Sequence, residues 1–369
     1  MKIAILTQFL RYNYGGILQN FALQTVLRRM GHEVVTLDPR RYQYSWKQYI
    51  GRSMKRVILR ILLGKHDKPI LWEWHVDNYV RTLGKNTFPF INKYIKRKAY
   101  CDLSKDVRPS QYNAFIVGSD QVWRPEYNTN MGNMFLDFTE GWDIKRIAYA
   151  ASFGVDQWKG NREITTVGRR MLPQFDAVSV RENSGVDICK NVFGVNAQHV
   201  LDPTLLLTKE DYISLLHLDK VPKSKGNLLV YILDYTEDKR KLIDRIAEDY
   251  HLQPFRVNSD VEDRSADLKD RIQPPVEQWL RGFMDAEYII TDSFHACVFS
   301  IIFEKPFVVY GNSSRGLARF YSLLIPLKLQ QCVVQSAEDY YKFNSFSNTS
   351  KICLEKERKR SVQYLTNSI

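Results

Sequence analysis

His295 stands at a position where α/β proteins often bind anions. It follows the short apolar segment 288–291 and Ser293, a common helix-capping residue type, and residues 294–304 have the spacing of a helix. Residues 307–310 are again short and apolar, so the sequence predicts a strand, a helix and a second, parallel strand. Backbone N–H groups are free at the first turn of such a helix and attract negative charge. His295 is therefore a candidate acid or base beside an anion site, and a purely structural role at the helix start is the alternative.

Three other polar turns follow predicted strands, and two arginines lie beyond the last strand. The turns are residues 13–16, 118–124 and 181–184, and the arginines are Arg315 and Arg319. Guanidinium groups bind carboxylates and phosphates through paired hydrogen bonds, and ligands of α/β proteins usually bind at the carboxyl ends of the strands. Together these turns predict an anion-binding cleft with a histidine beside it.

Apolar segments alternate with helical patterns along most of the chain, and this alternation must position the polar turns. Strands are predicted in the first half at residues 2–7, 34–37, 114–117, 135–138, 146–151, 177–180 and 199–201. The alternation begins again at residues 228–233, so we predict an α/β fold of two Rossmann-like domains that face each other across a cleft. The predicted parts are an N-terminal domain of residues 1–204 with a basic insert at about 40–100, a C-terminal domain of residues 205–340, and a connector with a terminal helix at 341–369.

Composition limits the kind of partner and the compartment. The chain has 369 residues, a formal net charge of +12 and a pI near 9.3, which indicates an anionic partner such as a phosphorylated small molecule, an acidic membrane surface or nucleic acid. The five cysteines are scattered without a Cys-x-x-Cys pair, and the histidines lack ligand spacing, so we expect a reducing compartment and no metal. Neither a secretory signal nor a membrane-spanning run is evident in the sequence. We expect a cytoplasmic location, and peripheral contact with the inner face of the cytoplasmic membrane stays open.

The segment 40–65 is strongly basic. It contains eight Lys or Arg residues and no acidic residue, interleaved with apolar residues at helical spacing, and this pattern predicts a basic amphipathic helix. Such a helix can lie on an anionic membrane, or it can pack its apolar face on the domain and leave its basic face in water. We favour packing, because charged outer faces are common on the helices of globular proteins.

Six motifs occur in a characteristic order along the chain. They are Asn-Tyr-Gly-Gly at 13–16, Val-Gly-Ser-Asp-Gln-Val-Trp at 117–123, Ala-Tyr-Ala-Ala-Ser-Phe-Gly at 148–154, Val-Ser-Val-Arg-Glu-x-Ser at 178–184, Val-Leu-Asp-Pro-Thr-Leu-Leu-Leu at 200–207 and Thr-Asp-Ser-Phe-His at 291–295. In this order they resemble the polysaccharide pyruvyl transferase family. The resemblance extends over nearly the whole chain, except the basic insert after Arg40 and about the last twenty residues.

The resemblance implies a fold like that of the GT-B glycosyltransferases and a specific reaction. A pyruvyl group would pass from phosphoenolpyruvate, as co-substrate, to a pair of sugar hydroxyls, giving a cyclic ketal in exopolysaccharide or capsule biosynthesis. No cofactor or metal is implied. The acceptor would be a sugar, an oligosaccharide or a lipid-linked saccharide.

The resemblance also suggests roles for individual residues, with Arg181 and His295 as its most specific elements. Ser293 stands where many members of the family have an arginine, so Arg315 or Arg319 would supply the missing positive charge. Our hypothesis is that Arg181, Ser293, Arg315 and Arg319 bind the donor, that His295 is the acid, and that Asp120 orients or deprotonates the acceptor. The expected acceptor-binding or cleft-lining residues are Asn13, Tyr14, Gly15, Gly16, Ser119 and Gln121.

Two other functions fit parts of the sequence. A glycosyltransferase that uses a nucleotide sugar would share the two-domain fold, and Glu277 and Asp285 resemble the paired acids that bind a donor ribose, although a solvated helix face explains them as well. A non-catalytic basic protein would bind a membrane or nucleic acid through residues 40–65. No nucleic-acid-binding motif accompanies that segment, so we expect no nucleic-acid partner.

Overall fold

The computed structural model describes residues 1–39, 46–63, 69–128, 130–259, 266–311, 317–341 and 347–369. Its first sheet is built from β1 (Lys2–Leu6), β2 (Glu33–Pro39), β3 (Arg97–Tyr100), β4 (Ala114–Asp120), β5 (Lys145–Ala151), β6 (Ala177–Val180) and β7 (Gln198–His199). These strands pair in parallel in the order β3-β2-β1-β4-β5-β6-β7. All seven residues of β4 are buried, as expected for a central parallel strand that is covered on both faces.

The second sheet is smaller and is also entirely parallel. It contains β8 (Leu228–Tyr231), β9 (Pro254–Phe255), β10 (Tyr288–Thr291), β11 (Phe307–Tyr310) and β12 (Val333–Val334), in the order β12-β11-β10-β8-β9. Both strand orders are of the doubly wound type. The predicted α/β fold with two Rossmann-like domains is confirmed.

Helices connect most of the strands. They are α1 (Tyr14–Arg29), α2 (Trp46–Leu63), α3 (Trp72–Leu83), α4 (Phe88–Tyr94), α5 (Leu103–Asp106), α6 (Met131–Met134), α7 (Arg162–Met171), α8 (Asn183–Ile188), α9 (Lys209–Ile213), α10 (Glu237–Tyr250), α11 (Val276–Asp285), α12 (Phe294–Ile302), α13 (Leu317–Leu324) and α14 (Asn348–Ser368). A π-helical turn, Cys189–Phe193, continues α8. The crossovers between neighbouring parallel strands therefore follow the usual βαβ pattern.

The strand predicted at residues 135–138 is wrong. Phe135 closes the short helix α6, Leu136 has a left-handed backbone with φ of 55°, and Asp137–Thr139 forms a 3-10 turn. Phe135 and Leu136 are nevertheless fully buried. A short buried apolar run has the same hydrophobic pattern in a strand and in a compact turn, so periodicity alone does not distinguish them.

The two domains share one hydrophobic core. The largest cluster of buried residues contains side chains of both sheets, and the ring of Tyr14 in α1 stacks on Trp279 in α11 with centroids 5.2 Å apart. The Tyr14 hydroxyl also donates to the carbonyl oxygen of Pro274 at 2.7 Å. The start of α1 is therefore fixed against the second domain as well as against its own sheet.

The terminal helix α14 contacts both domains. Its Lys351 forms an ion pair with Glu304 of the second domain at 2.6 Å, and its Ser361 hydroxyl accepts a hydrogen bond from the Leu201 N–H at 3.0 Å. Arg358 donates to the carbonyl oxygen of Leu205 at 2.6 Å. The helix thus stabilises the segment that follows β7, which contributes to the site described below.

Helix α2 is amphipathic, as the sequence predicts, but its apolar face is exposed to solvent. Seven apolar side chains of α2 are exposed: Trp46, Ile50, Met54, Val57, Ile58, Ile61 and Leu62. The favoured interpretation, in which this face packs on the domain, is therefore wrong. None of the described helices is both long enough and apolar enough to cross a bilayer.

Candidate functional site

A cleft of about 660 Å³ lies between the carboxyl ends of the two sheets. In the first sheet, the loops after β1 and β4 reach it, and in the second sheet the loops after β8 and β10 do so. These are the points where each strand order reverses, and ligands of doubly wound proteins bind at such points. Eight of the predicted site residues line the cleft: Asn13, Tyr14, Gly15, Asp120, Gln121, Ser293, His295 and Arg319.

The buried carboxylate of Asp202 is the centre of the site. Its Oδ1 accepts hydrogen bonds from the Thr204 N–H at 3.0 Å and the Thr204 hydroxyl at 2.7 Å. Its Oδ2 accepts from Arg181 Nη1 at 3.0 Å and from the Ser119 hydroxyl at 3.1 Å, and it lies 3.7 Å from His295 Nε2. Burial alone would raise the pKa of Asp202, but His295, Arg181 and Thr204 outweigh burial and hold it well below its usual range. The carboxylate is therefore ionised at neutral pH.

Arg181 follows β6 and is almost completely buried. Besides Asp202, its guanidinium lies 3.6 Å from Asp120 Oδ1 and 4.5 Å from the ring centre of Phe294. Burial lowers the pKa of Arg181, but the charges of Asp202 and Asp120 more than reverse this, so its pKa is raised. Arg181 does not itself line the cleft; it acts on the site through these three neighbours.

A second guanidinium lies on the same ring. Arg319 of α13 lines the cleft, and its guanidinium carbon is 5.9 Å from the ring centre of Phe294. Burial and the positive charge of Arg181 lower the pKa of Arg319 to about 10. Two nearby positive charges in a buried place repel each other, and a bound anion would relieve that repulsion.

Some nitrogens of this cluster have a carboxylate nearby but make no hydrogen bond: Arg181 Nη2 lies 3.6 Å from Asp120 and His295 Nε2 lies 3.7 Å from Asp202. Among the residues that the structure describes, Nε and Nη2 of Arg181 and Nε2 of His295 are buried without a hydrogen bond. Unsatisfied buried donors are uncommon in folded proteins and often mark a place where a ligand or water binds. The arrangement can therefore bind a negatively charged group beside the histidine.

The absence of a side chain at Gly15 makes room for His295. A Cβ atom at Gly15 would lie 2.1 Å from His295 Nδ1, far inside van der Waals contact. Asn13 caps the same helix by accepting a hydrogen bond from the Gly16 N–H at 3.3 Å. The Asn-Tyr-Gly-Gly turn thus begins α1, fixes Tyr14 on the second domain and accommodates the imidazole.

Asp120 ends β4 with a left-handed backbone, φ 73°. Its Oδ1 accepts a hydrogen bond from the next residue's N–H, on Gln121, at 2.9 Å, and the Gln121 side-chain oxygen accepts from Arg124 at 2.8 Å. Ser119 is fully buried beneath them and does not line the cleft. The turn therefore presents one carboxylate to the cleft and uses Ser119 to support Asp202.

Ser293 is the N-cap residue of α12, but its hydroxyl makes no capping hydrogen bond. Its N–H donates to the Thr291 hydroxyl at 3.0 Å. The neighbouring Asp292 is buried, accepts from Lys239 Nζ at 2.7 Å and is bonded to the N–H of Leu233 at 2.8 Å. The start of α12 is thereby fixed by an internal ion pair, and the Ser293 side chain faces the cleft.

Several functional candidates do not follow from sequence reasoning. Cleft residues outside the predicted set include Tyr12, Arg124, Tyr127, Gln273 and Trp279. Asp202, the central carboxylate, was also not predicted; it is buried beside Arg181 and does not line the cleft. The sequence signal for Asp202 is the Asp-Pro-Thr turn, in which an aspartate caps a short helical turn. Arg315, predicted as a donor-binding residue, lies outside the described residues. Within the described ranges there is no group of three His, Cys, Asp or Glu that could hold a metal ion.

Glu277 and Asp285, the acids considered for binding a nucleotide ribose, are not arranged as a ribose-binding pair at the cleft. Asp285 accepts from Arg281 Nε at 2.8 Å and from the Ser224 N–H at 2.8 Å. Neither Glu277 nor Asp285 is among the residues that line the cleft. In this conformation Asp285 stabilises the end of α11.

Comparisons with known proteins agree with this architecture. A family model described as polysaccharide pyruvyl transferase matches residues 13–314. The UDP-GlcNAc 2-epimerase from Neisseria meningitidis, bound to UDP-GlcNAc, superposes with a TM-score of 0.51 at 10% sequence identity, and 100% of each chain is covered. The corresponding epimerase from Methanocaldococcus jannaschii gives a TM-score of 0.48 at 12% identity, again with 100% of each chain covered. The first likeness confirms the predicted GT-B-like fold; a comparison with curated proteins gives no significant match.

Replacing Gly15 should displace His295, whereas the same change at Gly16 should not. We expect Gly15→Ala to lower the free energy of unfolding by roughly 2 kcal/mol, because its Cβ would overlap the imidazole. Gly16→Ala is the matched control, since its Cβ would meet Asp120 at an ordinary 3.5 Å and both substitutions gain helix propensity. Denaturant unfolding measures stability, and histidine-selective NMR follows the His295 ring. Equal stability and an unshifted His295 signal in both variants would contradict the contact.

Acid should destabilise the protein through His199, whose Nε2 bonds to the Arg181 carbonyl oxygen at 3.0 Å. Burial lowers the pKa of His199 to about 4 from the usual 6.5. Between these values the unfolded chain binds more protons, so the stability contributed by neutral His199 is present above pH 6.5 and is lost as the pH falls toward 4. We expect His199→Gln, which keeps a donor, to reduce the loss by roughly 3 kcal/mol in denaturant titrations at pH 7 and pH 4. An unchanged pH dependence in the variant would show that other groups are responsible.

Proposed function

Because the chain belongs to the polysaccharide pyruvyl transferase family, we propose that the cleft transfers a pyruvyl group from phosphoenolpyruvate to two hydroxyls of a saccharide. The product is a cyclic ketal, and inorganic phosphate is released. The observation that most supports this proposal is the pair of guanidiniums, Arg181 and Arg319, on the ring of Phe294 next to His295. Phosphoenolpyruvate has a carboxylate and a phosphate, and such a donor needs a site with more than one positive group.

The start of α12 adds to the binding of the donor. Its first backbone N–H groups and the positive end of the helix dipole face the same side as Ser293 and His295. Arg319 contacts the cleft directly, whereas Arg181 contributes charge from a buried position. Many relatives have an arginine at the position of Ser293. In this proposal Arg319 supplies the positive charge that is missing there.

The reaction balances with His295 as the acid. His295 donates a proton to the methylene carbon of phosphoenolpyruvate, which becomes a methyl group, and the central carbon gains cationic character. One saccharide hydroxyl attacks that carbon and its proton returns to His295; attack by the second hydroxyl displaces phosphate, which leaves with the second proton. The ionised Asp202, 3.7 Å from Nε2, stabilises the imidazolium form that the first step requires.

Asp120 and its neighbours are proposed to receive the acceptor. The carboxylate of Asp120 accepts a hydrogen bond from a saccharide hydroxyl and thereby orients it toward the central carbon. The cleft also presents the amide of Gln121 and the rings of Tyr12 and Tyr127, and polar groups beside aromatic rings are suited to a sugar. Arg124 holds the Gln121 side chain by a hydrogen bond, so a substitution of Arg124 would affect the binding of the acceptor indirectly, through Gln121.

Phosphate release from phosphoenolpyruvate tests this function. Purified protein is incubated with phosphoenolpyruvate and a panel of glycosides and lipid-linked saccharides, and phosphate and ketal product are measured. We expect release that depends on both substrates, and a decrease in kcat of roughly 100-fold or more in His295→Gln. His251→Gln is a control on an exposed histidine of the second domain. Turnover of a nucleotide sugar without phosphoenolpyruvate would instead favour the glycosyltransferase.

Replacing Arg319 should weaken the binding of the donor more than the binding of the acceptor. We expect Arg319→Gln to raise the KM for phosphoenolpyruvate by roughly 10- to 100-fold, the loss expected when a charge-assisted hydrogen bond is removed. Arg240→Gln, on the exposed surface of α10, is the control. Initial rates at varied phosphoenolpyruvate and saturating saccharide give this value. An Arg319→Gln enzyme with an unchanged KM for the donor would remove Arg319 from the donor site.

A further inference from the structure

Helix α2 exposes its apolar side to solvent. Its seven exposed apolar side chains, Trp46, Ile50, Met54, Val57, Ile58, Ile61 and Leu62, are between 37% and 76% accessible. At 3.6 residues per turn they lie within about half of the circumference of the helix and form one continuous face. Scattered exposed apolar residues are normal on proteins, whereas a continuous apolar face usually marks an interaction surface.

Polar contacts, in contrast, attach the other side of α2 to α3. The Tyr49 hydroxyl donates to the buried carboxylate of Asp77 in α3. Arg56 donates to the carbonyl oxygen of Ile70, just before α3, at 3.0 Å. The helix is thus held with its apolar face outward by specific hydrogen bonds, the reverse of the usual arrangement on a globular domain.

The adjacent end of α3 extends the apolar surface. Ile70, Leu71, Trp72 and Trp74 are exposed there. Helices α2 and α3 thus have three exposed tryptophans, Trp46, Trp72 and Trp74. Tryptophan is enriched at the boundary between lipid headgroups and acyl chains, where one part of the ring is in water and the other in an apolar environment.

The charge of α2 favours one kind of partner. The helix contains Lys47, Arg52, Lys55, Arg56 and Arg60 and no acidic residue. An anionic lipid surface complements a basic helix that also has a broad apolar face. A second copy of the chain would bring two such basic helices together, and nucleic acid would leave the apolar face without a partner.

We propose that α2 and the start of α3 dock this protein on the surface of an anionic lipid bilayer. The apolar face of α2 enters the boundary between headgroups and acyl chains, the tryptophans lie at that boundary, and Lys47 and Lys55 contact the anionic headgroups. The helix lies in the plane of the membrane and does not span it.

The docking surface is connected to the cleft. Tyr79 of α3 accepts a hydrogen bond from Arg271 of the second domain at 2.8 Å, and its ring lies edge to face with Tyr12, a cleft residue, with centroids 6.5 Å apart. Helix α3 would thus connect a bilayer bound at α2 with the cleft. A bilayer in this place suits an acceptor saccharide attached to a lipid, and this part of the inference rests on the proposed function. Docking itself does not require that function.

Vesicle binding tests the proposal without any substrate. Full-length protein is sedimented with vesicles of phosphatidylcholine alone and of phosphatidylcholine mixed with phosphatidylglycerol, at low and high salt. We expect binding to the anionic vesicles that weakens with salt. Ile61→Gln with Leu62→Gln should reduce the partition coefficient by at least about tenfold. Lys47→Gln with Lys55→Gln should reduce it roughly 30-fold on the anionic vesicles.

Helix α14 provides the matched controls, because it is also basic and has one exposed isoleucine. Ile352→Gln and the pair Lys356→Gln with Lys359→Gln should leave binding unchanged. All substituted residues are exposed, and thermal unfolding checks that the variants stay folded. No binding to anionic vesicles, or equal losses in the α2 and α14 variants, would overturn the proposal. So would a dimer that Ile61→Gln with Leu62→Gln abolishes in analytical ultracentrifugation, in the absence of vesicle binding.

Discussion

The buried ion pair between Arg181 and Asp202 is the interaction on which the site depends. Both side chains are almost completely removed from water, and each would be strongly destabilising without the other, by roughly 3 to 5 kcal/mol. Asp202 also receives hydrogen bonds from Ser119 and Thr204 and faces His295. Since His295 belongs to the second domain and the other four residues to the first, the ion pair links the geometry of the candidate site to the way the domains pack.

Sheet topology explains why these residues meet. Arg181 follows β6, Ser119 lies at the end of β4, and His295 follows β10, so each comes from the carboxyl end of a parallel strand. The alternation of apolar segments and helices predicts such ends from sequence, and most of the strands, the cleft and eight of its lining residues were accessible in that way. Asp202 was not, because its role depends on three partners that are 21, 83 and 93 positions away in the chain. A single sequence has a local pattern for an Asp-Pro-Thr turn but none for a contact at that separation.

The basic insert illustrates a different limit. The period of its apolar residues predicts the helix α2 correctly, since the period depends only on local geometry. The same period does not determine what covers the apolar face. Arg56 and Tyr49 bond to the α3 region, and this leaves Ile61 and Leu62 in solvent. These few polar contacts decide which face of α2 is exposed. Amphipathic helices of globular proteins usually bury the apolar face instead.

The net charge of +12 is therefore not primarily a property of the cleft. There, Arg181 is paired with Asp202, Lys239 with Asp292, and Arg124 lies 3.4 Å from Glu126. Paired charges have little long-range field, so the anion binding that we propose for the cleft depends on the placement of its donors. Helix α2 contains five basic residues and no acidic residue, and the charges of its exposed Lys47 and Lys55 act over about a Debye length in the solvent. Composition alone predicts an anionic partner, and our two proposals assign it to two places: a small anion in the cleft, and an anionic bilayer at α2, where Lys47 and Lys55 are exposed.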